Sequence, residues 1–129
     1  MFVFEKSPAY GNPVVEKSLK FAIRIVKLYK YLIKKDKNLF AIYNQLLKSG
    51  TSIGANISES QAAISSKDFI NKLGISLKEG YETDYWLKVM FGSEILDEKE
   101  FNSLNTDNKE LIKLLISILK TSRHKLNNS

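Results

Sequence analysis

Ser49-Gly50-Thr51-Ser52-Ile53-Gly54-Ala55-Asn56-Ile57-Ser58-Glu59 places small residues every three or four positions, with two glycines four apart. That is helical spacing, and a helix face made of small residues lets a second helix lie close against it. Each glycine costs a helix about 1 kcal/mol relative to alanine, so close backbone packing is the natural compensation. Outward from this stretch, Tyr43, Leu46, Gly50, Ile53, Ile57, Ser60 and Ile64 keep the same rhythm and predict a helix over 38–64. Asp36-Lys37-Asn38 supplies turn chemistry before it, with Asn38 as the expected cap.

Downstream, Ser65-Ser66-Lys67-Asp68 fits a capping box that opens a third helix over 66–93. Its expected buried seam is Phe69, Leu73, Ser76, Gly80, Thr83, Leu87 and Met90. The competing seam through Ile70, Leu77, Asp84 and Phe91 would bury a carboxylate, which is expensive without a partner. Asp97-Glu98-Lys99-Glu100 is a second capping box, opening a helix over 98–123 with Phe101, Leu104, Asn108, Leu111, Leu115 and Ile118 on its apolar side; the tail from Lys125 to Ser129 is expected to fray. Upstream, both prolines precede residue 14, and Asn12-Pro13 reads as a cap followed by proline at the first helical position. The first helix, over 13–35, carries two adjacent apolar rows: Val15, Leu19, Ala22, Val26, Tyr29 and Ile33, and beside them Phe21, Ile25, Leu28 and Leu32. Together they are wider than one seam needs. Four helices with short links and no strand signal predict an all-α, up-down-up-down antiparallel four-helix bundle, and 129 residues suit one domain over 1–129.

Two blocks carry a family resemblance. Ser49 to Ile57 with Glu59, and later Asp68-Phe69-Ile70-x-Lys72-Leu73 with Glu79-x-x-Glu82-Thr83-x-Tyr85-Trp86-Leu87, resemble the four-helix bundle proteins known as 23S rRNA-intervening-sequence proteins. The first members of that family were found encoded inside ribosomal RNA genes. Lys48 stands where the family usually has arginine, which keeps the charge and loses the planar fork. The resemblance implies a four-helix bundle with no well-established reaction or ligand.

No cysteine is present, so disulfides and thiolate metal sites are excluded. Met1 to Asn12 lacks a basic start followed by an apolar run, and no stretch of about 18 apolar residues occurs, so a cytoplasmic protein with no membrane partner is expected. His124 is the single histidine, too few for a di-iron bundle, and it reads as a solvated residue near a helix end. Gly50-Thr51-Ser52-Ile53-Gly54 lacks the Lys-Ser/Thr ending of a phosphate loop. Glu59, Glu79 and Glu82 read as members of polar networks more readily than as a magnesium site. No catalysis, no cofactor, no metal and no small-molecule substrate are expected.

Twenty Lys and Arg against fourteen Asp and Glu give a net charge of +6, which favours polyanion partners. Lys17, Lys20, Arg24, Lys27 and Lys34, with Tyr31 continuing the row, step along one side of the first helix for about 25 Å and form the candidate surface for RNA or DNA. Lys109, Lys113, Lys120, Arg123 and Lys125 add charge on the last helix. Among relatives, those that work alongside retroelement reverse transcriptases favour the same reading. The alternative is an adaptor that presents an oligomeric surface to a protein partner. Either way a homo-oligomer is expected. Lys48, Ser52, Ala55 and Glu59 form a row of small and charged residues away from the seam of the second helix. Ile75, Glu79, Glu82 and Trp86 form a similar row on the third, with Trp86 as anchor. The resemblance implies a pentamer, and head-to-tail contacts between such rows close into rings.

Overall fold

The computed structural model describes residues 13–128, so the cap expected from Asn12 lies outside the described residues, as does Ser129. Helix α1, Pro13–Lys35, begins at the proline, whose missing N–H is not needed in a first turn. A 3₁₀ turn, Lys37–Leu39, leads into α2, Phe40–Ser60. Asn38 does not cap α2: the Asp36 carboxylate accepts the Asn38 N–H at 3.0 Å and caps the 3₁₀ turn, while α2 begins at Phe40 after Leu39, which makes no side-chain cap bond.

The end of α2 also differs from the expected one. Gln61, Ala62 and Ala63 donate to the carbonyls three residues back, so the helix tightens and unwinds after Ser60, whose hydroxyl bonds the Ile57 carbonyl at 2.6 Å. Ile64, the expected last rung of the seam, is therefore 93% exposed in the link. Helix α3, Ser66–Gly92, starts where Ser65 accepts the Asp68 N–H at 3.0 Å; Asp68 reaches back to the Ile64 N–H and not to Ser65, so only half of the expected box forms. Helix α4, Glu98–Asn127, has the full reciprocal box between Asp97 and Glu100. It runs through Lys125 to Asn127, a turn past its expected end.

Among the described residues all regular structure is helical, and consecutive helices pack against each other as a bundle. The seam of α3 is the charge-free one: Leu73, Ser76, Gly80, Thr83, Leu87 and Met90 are buried, while Asp84 pairs with Lys88 at the surface. On α2, Gly50 and Gly54 do what their spacing implies. A Cβ at Gly50 would lie 2.9 Å from Ile25 Cγ1, and one at Gly54 3.1 Å from the Ser18 carbonyl oxygen, so side-chain atoms are absent where α1 comes closest. Ser76, fully buried, closes the other side of α2 by donating to the Ile53 carbonyl at 2.8 Å. On α4 the buried row is Leu104, Asn108, Leu111, Leu115 and Leu119; Ile118 sits half-buried at its edge.

The two apolar rows of helix α1 divide. Phe21, Ile25 and Leu32 are buried together with Val14 and Ser18, and of the other row Val15, Tyr29 and Ile33 pack half-buried against the core while Leu19 and Val26 face outward. Gly54 explains the rotation, because the α1 backbone touches it at Ser18 and leaves Leu19, the next residue, on the outer flank.

The link after α3 carries a Schellman turn: Ile95 donates to the Met90 carbonyl at 2.8 Å and Glu94 to that of Phe91 at 3.1 Å. Its left-handed position is Glu94, φ 66°, where glycine has no Cβ penalty. Glu94→Gly is expected to raise stability by about 0.5–1 kcal/mol in urea unfolding. A loss would mean that the Glu94 side chain contributes more than its backbone strain costs.

Candidate functional site

The basic stripe of α1 divides in two. Lys17 pairs with Glu110 at 3.1 Å, and Arg24 reaches Asp107 and the Ser103 hydroxyl, all on α4. Lys20 pairs with Glu16 on its own helix at 3.5 Å. The α1–α4 edge is thus bridged by the residues expected to hold phosphates. Such half-exposed pairs are worth a few tenths to about 1 kcal/mol each, but they cancel the field an incoming anion would feel. Lys27 and Lys34 remain exposed without an ion pair among the described residues, and Lys35 lies over the exposed Tyr31 ring at 5.9 Å.

The two rows expected at a subunit contact lie on the neighbouring helices α2 and α3, and charge links them at two places. Glu59 accepts from Lys72 of α3 at 2.8 Å, which raises the Lys72 pKa through the hydrogen bond and the charge of Glu59. Burial pushes the Glu79 carboxyl above the ordinary range; repulsion from Glu82 adds to the shift, and attraction from Lys48 and Lys78 opposes it. Lys48 therefore acts on Glu79 within one chain, and Glu59 is paired within it. Trp86 is half-buried against the core, with its indole N–H 3.4 Å from Glu82 and its ring edge-on to Tyr85. Ser52 is half-buried, and Ala55 and Ile75 are exposed.

Sequence reasoning did not single out the outward flank of α1 as a functional face. Leu19, Ile23 and Val26 are 60%, 46% and 42% exposed, one turn apart along the helix. A groove beside them is floored by Ala22 of α1 and by Gly54 and Ala55 of α2. The signal was the double apolar row, which is too wide for one seam.

His124 is exposed near the end of α4, with Asn128 2.9 Å from its ring. No group of three or more His, Asp or Glu side chains converges among the described residues, and no described helix is long and apolar enough to cross a membrane.

Residues 11–117 match the family described as 23S rRNA-intervening sequence protein. A crystal structure of a protein of unknown function from the S23 ribosomal protein family of Bacteroides thetaiotaomicron is 51% identical, with a TM-score of 0.80. The match covers 83% of this chain and 98% of that one. No curated protein matches the chain significantly.

Proposed function

The chain belongs to the 23S rRNA-intervening sequence protein family, and from that premise we propose that it acts without catalysis, as a homo-oligomer that binds RNA or DNA sequence-tolerantly on a basic outer surface. The observation that carries the reading is the aliphatic stripe Leu19, Ile23 and Val26 on the outer flank of α1. Three large aliphatic side chains in a row on water are costly, and a contiguous patch of this kind marks a contact surface.

A second copy suits the stripe by charge. Its rim carries Lys27, Lys30 and Lys34, all exposed, whereas the α3 row sets Ile75 and Trp86 beside Glu79 and Glu82. Apolar against apolar with basic rim against acidic rim is a head-to-tail contact, and such contacts close into rings. Five copies is the number the family resemblance implies. A ring repeats every basic surface, so weak phosphate contacts on several copies add as avidity wherever one strand reaches more than one of them.

Light scattering at micromolar protein is expected to give five times the 14.7 kDa chain mass. Ile23→Asp with Val26→Asp is expected to release single chains of unchanged helicity, and Trp86→Ala with Lys48→Glu to do the same from the opposite face. A wild-type mass of one chain overturns the homo-oligomer. The stripe also fits a partner polypeptide, and the adaptor reading takes over if a stoichiometric protein, and no nuclease-sensitive material, copurifies in high salt.

A further inference from the structure

The strongest unclaimed feature is the outer face shared by α3 and α4. Lys67, Asn71, Gly74, Lys78, Tyr81 and Tyr85 step by four, three, four, three and four, so they form one straight row for about 27 Å along α3. Lys67, Asn71 and Lys78 are exposed, and the two tyrosines are 54% and 58% exposed. Across the groove stands α4. Its Ile112 packs on Gly80, where a Cβ would lie 3.0 Å from the Ile112 Cγ1, and its Arg123 guanidinium is 4.0 Å from the Cβ position of Gly74. Lys120, one turn before Arg123, is exposed beside it.

The carboxylates of these two helices leave this face basic. Asp84 is held by Lys88 at 2.9 Å. Asp107 and Glu110 pair with Arg24 and Lys17 on the far side of α4, Glu98 and Glu100 sit in the first turn of α4, and Asp68 accepts the Ile64 N–H; Glu79, attracted by Lys48 and Lys78, and Glu82, at the Trp86 indole, border the row on one side. Lys67, Lys78, Lys120 and Arg123 have no ion pair among the described residues. They differ in this from Lys17, Lys20 and Arg24 of the α1 stripe.

We infer that this α3–α4 face is a binding site for single-stranded nucleic acid, with Lys67, Lys78, Lys120 and Arg123 tracking phosphates and Tyr81 and Tyr85 stacking on bases. The inference rests on the nucleic-acid reading above and moves its surface from α1 to α3–α4. Exposed aromatic rings set among cations select single strands, because unpaired bases offer a free π-face while duplex bases are already stacked on each other. Tyr85 also touches Trp86 edge-on, ring centroids 5.0 Å apart, so the single tryptophan reports on a base stacked at Tyr85.

The test uses the full-length protein with a fluorescein-labelled single-stranded oligouridylate, an oligothymidylate of equal length, and a duplex. Wild type is expected to bind both single strands more tightly than the duplex and to change its Trp86 emission on binding. Tyr81→Ala with Tyr85→Ala is expected to weaken single-strand binding about tenfold or more, with the salt dependence unchanged. Tyr81→Phe with Tyr85→Phe keeps the affinity, since phenylalanine stacks as well. Lys67→Glu, Lys78→Glu and Arg123→Glu together are expected to flatten the plot of log K against log salt by about 0.7 for each phosphate that is no longer neutralised. If both the alanine pair and the glutamate triple bind as wild type while Lys27→Glu with Lys34→Glu abolishes binding, the strand runs along α1; the face is then wrong and the nucleic-acid reading stands. If wild type binds none of the three probes at low salt, both fail.

Discussion

Gly50→Leu is expected to cost about 3 kcal/mol, the upper end of what overpacking a core usually costs and a large part of the 5–15 kcal/mol that holds a domain of this kind together. Gly50 is buried, and the first atom of any side chain there would meet Ile25 Cγ1 at 2.9 Å and Cγ2 at 3.2 Å. Ile25 is itself 1% exposed and has nowhere to retreat. Leucine would regain about 1 kcal/mol of helix propensity over glycine, and the overlap outweighs it because α1 must move off α2 along its length. A double-mutant cycle separates this clash from generic damage. Ile25→Ala alone is expected to cost about 2–5 kcal/mol by leaving a cavity. Combined with Gly50→Leu it should cost at least about 1 kcal/mol less than the two single effects added, since the new side chain fills the space the isoleucine left. Urea unfolding of the four proteins checks it, and strict additivity would mean that the glycine is not there to admit Ile25.

Asn108→Asp is expected to make stability depend steeply on pH. Asn108 is fully buried on α4; its amide donates to the Gly80 carbonyl at 3.0 Å, and its Oδ1 has no partner in the bundle. The substitution keeps the shape and replaces the amide donor by a carboxyl. While protonated, that carboxyl can donate to the same carbonyl. Once ionised it faces a carbonyl oxygen with no cation beside it, so burial raises its folded pKa well above the unfolded value of about 3.9. The sign follows: the folded state holds the proton more tightly, stability is fully present below the unfolded pKa, and it falls as pH rises toward the folded one. A shift of about 3 units corresponds to a loss of about 4 kcal/mol at neutral pH, shrinking toward 1 kcal/mol or less near pH 4. Chemical unfolding of both proteins across that range reads it directly. A loss equal at both ends would show that water reaches the site and solvates the charge.

What the sequence by itself determined is local or periodic. The Asp97–Glu100 box formed as written because both its hydrogen bonds span three residues and its third position is a glutamate, whereas the Ser65 box, with Asp68 there, formed only half. The α3 seam through Leu73, Gly80 and Leu87 was legible because its rival would have buried Asp84, which is costly without a buried partner. Gly50 and Gly54 announced a close helix pair for the same kind of reason, since two glycines inside a helix need a neighbour to justify them. The tertiary structure alone decided how each helix is rotated and which charges meet. Both apolar rows of α1 have helical period, and period does not say which faces the core; the approach of Ser18 to Gly54 settled it and turned Leu19 and Val26 to the outside. Arg24 looked free on its own helix, yet its partner Asp107 lies 83 residues away in the chain. Pairing across such a distance depends on the positions of all four helices at once, and a one-dimensional pattern holds no record of it.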